Sequence, residues 1–125
     1  DLFLKSLLNI MKKNDFFFFT TLSGNGVDIR TLWEKSESVS PPHHLNFFNP
    51  DSVKILLEKN NFELVKSSTP GQLDLDIMSR NNSIKSKNFW NIFFKNASEE
   101  AKIELQKTFS KHGFSSHMHI LSKRI

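Results

Sequence analysis

The chain has 125 residues, 38% of them hydrophobic and 24% charged, with a formal net charge of +4, which fits one soluble domain spanning residues 1–125. Its apolar runs fall far short of the roughly 20 residues that a membrane helix needs, and the absence of cysteine excludes disulfides, thiolate nucleophiles and cysteine-ligated metals. Its lysines are scattered, so we expect no specific nucleic-acid binding. No signal peptide is recognisable in residues 2–11, and we expect a cytoplasmic protein.

A helix and a strand are predicted first. Apolar residues recur every three to four positions over residues 2–11, which predicts an amphipathic helix. The following segment FFFFTTL, Phe16–Leu22, is a continuous apolar and β-branched run of the kind found in strands that are buried on both faces. Such a strand requires helices on both sides of a sheet. SGNG, residues 23–26, then predicts a turn.

The middle of the chain predicts two helices around a proline-rich loop. Residues 28–33 form a short predicted helix that ends at Trp33, and the loop VSPPHHLNFFNPDSV covers residues 39–53. Asn49 followed by Pro50 is a strong helix start. FELVKSST, residues 62–69, is the second predicted strand.

The last part of the chain is predicted to return to the sheet. A turn at residues 69–71 precedes LDLDIMSR, residues 73–80, whose apolar spacing fits a strand and a helix equally well. Helices are predicted over residues 88–94 and 98–112, and SSHMHILSK, residues 115–123, is the third strand. This alternation predicts an α/β fold with helices on the faces of a sheet.

The proline-rich loop carries the first candidate site. Histidine titrates near neutral pH, so His43 or His44 can accept a proton from a substrate hydroxyl. In the structural alternative, one imidazole binds a backbone carbonyl while Phe47 and Phe48 form a packed lid. These two phenylalanines and Trp33 are either core residues or the lining of a pocket for an apolar or sugar substrate.

Two further pairs of residues could form a functional site, but for each pair we favour a position on the solvated surface without such a role. His117 and His119 lie on one face of a strand and can chelate a metal. No third ligand lies at a convincing spacing, so we predict a surface strand face and no metal site. Asp74 and Asp76 can do acid-base work as paired carboxylates, but the alternating leucines define the buried side, so we expect both to be solvated.

The combination of PPHHLNFF (residues 41–48), NNFELVKSSTPG (residues 60–71), TPGQLDLDI (residues 69–77) and GFSSHMHILSK (residues 113–123) resembles the C-terminal half of class I S-adenosylmethionine-dependent methyltransferases. The resemblance implies a partial Rossmann-like methyltransferase sheet made of the C-terminal strands with flanking helices. It also implies S-adenosylmethionine as cofactor, a small-molecule or glycan acceptor, and a catalytic role for His44, which matches the family's histidine before leucine.

The sequence departs from that family at the cofactor site. The family's glycine-rich turn after the first strand and its acid after the second strand do not occur in this chain. We therefore predict no cofactor-binding residues, an inactive chain on its own, and an exposed sheet edge beside Phe16–Leu22 that needs the missing N-terminal half or a second copy of the chain. A non-catalytic interaction module that dimerises or completes a partner through this edge is the alternative.

Overall fold

The computed structural model describes residues 2–125, which form three strands and six α-helices. In chain order these are α1 (Leu2–Ile10), β1 (Phe16–Leu22), α2 (Val27–Leu32), α3 (Pro50–Glu58), β2 (Phe62–Ser68), α4 (Asp74–Arg80), α5 (Asn88–Asn96), α6 (Glu99–Lys111) and β3 (His117–Arg124). Short 3-10 turns occupy Trp33–Lys35 and Asn82–Ser86. Within residues 2–125 no helix has the length and apolar character to cross a membrane.

Local sequence signals account for the boundaries of the longer helices. The side chain of Asn49 accepts a hydrogen bond from the backbone N–H of Ser52, and the Ser52 hydroxyl accepts one from the Asn49 N–H, at 2.8 Å each. This reciprocal capping box starts α3 where it was predicted. Ser98 caps α6 by accepting from the Ala101 N–H at 3.1 Å.

The segment that fitted a strand and a helix equally well is the helix α4. Asp74 and Asp76 lie in its first turn, where carboxylates interact favourably with the helix dipole. The Leu75 backbone N–H, which has no partner inside the helix, donates to the Gln106 side-chain oxygen of α6 at 3.0 Å. A tertiary contact with α6 thus caps this short helix.

The sheet has the order β1-β3-β2, with β3 antiparallel to both neighbours. The first and second strands therefore run parallel to each other, and neither pairs with the other. A register shift between Leu64 and Lys66 is a bulge in β2. The chain is thus a mixed α/β protein with a small antiparallel sheet and an unpaired outer edge on β1.

One face of the sheet carries the main apolar core. Helices α1 and α3 pack on this face, with Leu4, Val53 and Leu57 buried against Phe62 of β2 and the alternate residues of β3. A second apolar cluster joins α2, α4, α5 and α6 and contains no strand residue. The sheet is therefore packed by helices on one side, and the remaining helices form their own cluster.

The prediction that β1 is buried on both faces is wrong. Phe17 and Phe19 pack against the core, but Phe16 is 62% exposed and Phe18 is 57% exposed. Successive side chains of a strand point to opposite faces, and α1 and α3 cover only one of them. The continuous apolar run thus marks an edge strand whose second face has no cover within residues 2–125.

Candidate functional site

A cleft of about 460 Å³ opens at one end of the strands of the sheet. The two mutually parallel strands end there, β1 at Leu22 and β2 at Ser68, and β3 begins there at His117. Open α/β sheets bind ligands at the carboxyl ends of parallel strands. The cleft is lined by Leu22, Ser38, Pro70, Gly71, Gln72, Leu73, Asp74, Ile77, Ser115, Ser116 and His117. Its volume lies in the range that holds a small organic molecule.

The cleft combines apolar walls with a few polar groups. Leu22 comes from β1, while Leu73 and Ile77 come from α4 and the turn before it. The polar groups are contributed by Ser38, Gln72, Asp74 and the segment of residues 115–117. Such a mixture orients a ligand through a small number of hydrogen bonds while apolar contacts supply most of the affinity.

Asp74 is the centre of a buried hydrogen-bond network. Asp74 is only 2% exposed to solvent. One carboxylate oxygen accepts hydrogen bonds from the Gln106 amide at 2.6 Å and the Ser115 hydroxyl at 2.7 Å. The other oxygen accepts from the backbone N–H of Ser116 at 2.7 Å. We call these four residues, Asp74, Gln106, Ser115 and Ser116, the Asp74 junction.

The expectation that Asp74 is solvated is therefore wrong, whereas Asp76 is exposed as expected. The reason is the helical geometry of residues 74–80, which separates the directions of side chains two positions apart. Asp74 turns toward the start of β3, where three donors occupy most of the roughly four lone-pair sites of an ionised carboxylate. Asp76 faces solvent and pairs with Arg80 at 3.8 Å.

Gln106 extends the Asp74 junction to the turn after β2. Its amide nitrogen also donates to the Gly71 carbonyl at 3.1 Å, and its oxygen accepts from the Leu75 N–H. The hydroxyl of Ser110 donates to the same Gly71 carbonyl. One side chain of α6 thus fixes both the turn that follows β2 and the first residues of α4.

A second carboxyl, that of Asp28, lies beside the Asp74 junction. Asp28 is fully buried, and neither of its carboxyl oxygens has a partner with good hydrogen-bond geometry within residues 2–125. Burial, together with the nearby negative charge of Asp74, raises the pKa of Asp28 from 3.8 to about 6. Desolvation disfavours the charged form of a carboxyl. Asp28 therefore keeps its proton in mildly acidic solution, while Asp74 is held by three donors.

Two glycines allow the turns after β1 and β2 to approach the start of β3. A Cβ atom placed on Gly26 would lie 2.4 Å from the Ser116 Cβ, and one on Gly71 would lie 2.0 Å from the Ser115 hydroxyl oxygen. The turn predicted at residues 23–26 is confirmed by the hydrogen bond from the Gly26 N–H to the Ser23 carbonyl at 2.9 Å. Gly26 is required for close packing, since a side chain there would displace β3.

The structure places the predicted histidines on an exposed turn. The Pro41–Pro42 peptide is cis, and the backbone N–H groups of His43 and His44 both donate to the Ser40 carbonyl, at 2.9 and 3.2 Å. Both residues are exposed, and neither lines the 460 Å³ cleft. Their catalytic role stays a prediction.

The aromatic residues of the loop lie closer to the sheet. Phe48 packs against the main core, and its carbonyl accepts a hydrogen bond from the Gly24 N–H at 2.7 Å. Trp33 is 55% exposed, and its ring centroid is 6.5 Å from that of Phe47. None of the three lines the cleft, so their predicted contact with substrate stays a prediction.

His117 and His119 project from the same face of β3, and their Nε2 atoms are 3.0 Å apart. His117 also lines the cleft. Within residues 2–125 no group of three or more histidine, cysteine, aspartate or glutamate residues is arranged to hold a metal ion. The pair therefore offers two nitrogen donors and no third ligand of these types.

A smaller cleft of about 300 Å³ lies between α4 and α6. Its wall includes Lys102 and Glu99, which form an ion pair at 2.6 Å. No strand residue lines it; its walls come from the turn before α4 and from α4, α5 and α6. The larger cleft is the candidate site.

The sequence did not reveal the Asp74 junction or Asp28. Ser115 and Ser116 were predicted only as the first residues of a strand, and Gln106 only as part of a helix. The one signal present was the pair of aspartates in LDLD, which we expected to be solvated.

No protein family, curated protein or solved structure matches this chain.

Proposed function

We propose that this chain is the substrate-side portion of a S-adenosylmethionine-dependent methyltransferase, which transfers a methyl group to a small-molecule or glycan acceptor when combined with a cofactor-binding half. The observation that carries the proposal is the strand order. The last strand in sequence, β3, lies antiparallel between β1 and β2, which are parallel to each other. The resemblance implies a closing strand before the C-terminus, and β3 is that strand, joined to both of the others.

The uncovered face of the sheet supports the same proposal. Phe16 and Phe18 are exposed on this face, and Phe18 lies directly opposite Leu121 of β3. Exposed apolar groups that are contiguous on a sheet mark a surface that another element covers. Further strands and helices of a larger sheet would cover the face and pair with the free edge of β1.

Two features of this chain support placing the cofactor site outside it. Asp74 already accepts three hydrogen bonds, which leaves about one lone-pair site and not the two needed to hold both ribose hydroxyls. Gly26, the second glycine of SGNG, is packed against Ser116, which leaves no room there for a ligand. The proposal therefore assigns cofactor binding to the missing half and acceptor binding to this chain.

The proposed contribution of this chain is to position the acceptor. Reactions of this type depend mainly on alignment of the two reacting groups, and a cleft with apolar walls and a polar rim can supply it. His44, or its neighbour His43, is the proposed proton acceptor for an acceptor hydroxyl. The cleft at the ends of β1 and β2 is the proposed acceptor site. Neither histidine lines it, although Ser38, just before the loop that carries them, does. The proposal therefore requires this loop to bring one imidazole to the acceptor hydroxyl when the acceptor binds.

Calorimetric titration with S-adenosylmethionine tests the proposal. We expect no micromolar binding by the chain of residues 1–125. We expect micromolar binding by the polypeptide that is extended toward the N-terminus through the upstream coding sequence. Micromolar binding by the short chain, or none by the extended polypeptide, would contradict the proposal.

The second candidate is a non-catalytic interaction module, favoured by the free edge of β1. An in-frame upstream strand and turn with Gly-x-Gly-x-Gly supports the enzyme, whereas a start codon directly before Asp1 supports the module. Sedimentation gives a further distinction. A concentration-dependent dimer that is lost in the double variant Phe16→Ser and Phe18→Ser is expected for a module that pairs with itself.

A further inference from the structure

His117 and His119 form a preorganised pair at the rim of the cleft. Their ring centroids are 4.9 Å apart with an interplanar angle of 79°, and their Nε2 atoms are separated by 3.0 Å. Residues i and i+2 of a strand share a face. The two nitrogens are thus brought together by the backbone geometry of β3, which is the central strand of the sheet.

The distance between the two Nε2 atoms is close to the distance between two nitrogen ligands that bind the same metal ion. Imidazole nitrogens bind zinc at about 2.0–2.1 Å. At such bond lengths, two ligands at a right angle are about 2.9 Å apart, and two ligands at the tetrahedral angle are about 3.3 Å apart. The observed 3.0 Å falls between these values. It is also the length of the hydrogen bond that forms when one Nε2 carries a proton and the other does not, so a bound metal ion would take the place of this shared proton.

The surroundings of the pair restrict the rings and carry little opposing charge. The residues opposite His119 are Thr20 on β1 and Ser68 on β2, and the residue opposite His117 is Leu22. The Phe18 ring meets the His119 ring edge-on at a centroid distance of 5.5 Å, which limits the rotation of that imidazole. The nearest cation along the ladder is Lys66, which is opposite Leu121 and exposed to solvent.

We propose that His117 and His119 bind one late first-row divalent metal ion through their two Nε2 atoms, with water or another small ligand in the remaining positions. Two imidazoles without a carboxylate favour copper, nickel and zinc over magnesium or calcium. The expected order of affinity places Cu²⁺ above Ni²⁺ and Zn²⁺. Because His117 also lines the cleft, the ion lies where it can contact an oxygen or nitrogen donor of a bound ligand.

The site is independent of the proposed methyltransferase function. It uses only side chains of β3, so the chain of residues 1–125 is sufficient to test it. Sequence spacing alone favoured a plain surface face for these two histidines. The distance between their Nε2 atoms is the observation that changes this assessment.

Isothermal titration of the untagged chain with CuCl₂ and NiCl₂ at about pH 7.5, where imidazole competes well with protons, is the test. We expect one ion per chain with micromolar affinity for Cu²⁺. His117→Ala and His119→Ala should each weaken binding by about tenfold or more, because a chelate of two linked donors becomes a single donor. Electron paramagnetic resonance of the Cu²⁺ complex should show two coordinated nitrogens, and one in each variant.

Matched controls are available in the other histidines of the chain. His112→Ala and the double variant His43→Ala and His44→Ala should leave the Cu²⁺ affinity unchanged, since these residues lie outside β3. His117 is exposed, so its substitution should not affect folding, and circular dichroism checks this. Affinity no better than millimolar, or micromolar affinity that persists in both β3 variants, would overturn the proposal.

Discussion

The Asp74 junction and the His43–His44 loop both contain side chains that can take part in proton transfer, but the structure holds the two regions very differently. Three donors converge on Asp74 at 2.6–2.7 Å in a buried position. The imidazoles of His43 and His44 are exposed, and only their backbone N–H groups are fixed. The first region therefore defines the shape of the cleft, whereas substitutions in the second should leave the fold unchanged.

Replacement of Asp74 should have the largest effect. In Asp74→Ala, the Ser116 N–H and the Ser115 hydroxyl lose their acceptor in a buried position, and the Gln106 amide loses one acceptor and keeps the Gly71 carbonyl. Unmet buried donors cost about 1–3 kcal/mol each. The substitution also removes the repulsion between the Asp74 and Asp28 carboxyl groups, which offsets part of this loss. We therefore expect the free energy of unfolding to fall by about 4 kcal/mol. Urea denaturation measures the change.

Asp76→Ala is the control for this prediction, because Asp76 lies on the same helix, is exposed and makes only a surface ion pair. We expect it to change the free energy of unfolding by no more than about 0.5 kcal/mol. Equal effects of the two substitutions would show that the Asp74 junction contributes nothing special to stability.

Replacement of Asp28 should have a pH-dependent effect of intermediate size. The pKa of Asp28 is about 6 in the folded protein against 3.8 for the free group, so the folded state holds the proton more tightly. The unfolded chain loses this proton first as the pH rises from about 4 to about 6, and stability falls over this window. Above about pH 6 both states are ionised, and the full penalty, up to about 3 kcal/mol, is present.

Asp28→Asn removes this titration and places an amide donor beside Asp74. The variant should therefore exceed the wild type in free energy of unfolding by up to about 3 kcal/mol at about pH 8. Near pH 4 the two proteins should differ little. Urea denaturation of both proteins at the two pH values measures this difference in the free energy of unfolding. A difference that does not grow with pH would contradict a raised pKa for the buried Asp28 carboxyl.

The double substitution His43→Ala and His44→Ala should have the smallest effect on stability. Both side chains are exposed, so we expect a change of no more than about 0.5 kcal/mol in the free energy of unfolding. In the completed enzyme, the same variant should lower the rate of methyl transfer to a hydroxyl acceptor by about a hundredfold if either imidazole is the proton acceptor. An unchanged rate would assign the loop a structural role only.

The sequence predicted most elements because their signals are local. The capping pair Asn49–Pro50, the acids that open α6 and the β-branched runs each act within a few residues. The assignment of residues 73–80 could not be made locally, because the N–H of Leu75 is satisfied by Gln106, 31 residues away in the chain. The period of the apolar residues carried no information about that contact.

The burial of β1 and of Asp74 could not be read from the sequence for a related reason. A run of four phenylalanines is the same whether a strand is central or at an edge, and only the pairing partners decide between the two positions. The three donors of Asp74 come from segments 32 to 42 residues away. Neither spacing nor composition indicates which polar residues such distant segments bring together.

The position of β3 at the centre of the sheet has a consequence for synthesis. The first and second strands never pair with each other, so each depends on residues 117–124 for all of its ladder hydrogen bonds. On the ribosome the helices of residues 2–111 can form early, but within residues 2–125 β1 and β2 have no strand to pair with until residues 117–124 have emerged from the exit tunnel. A premature stop codon before residue 117 would therefore deprive both strands of every ladder hydrogen bond that they form within residues 2–125.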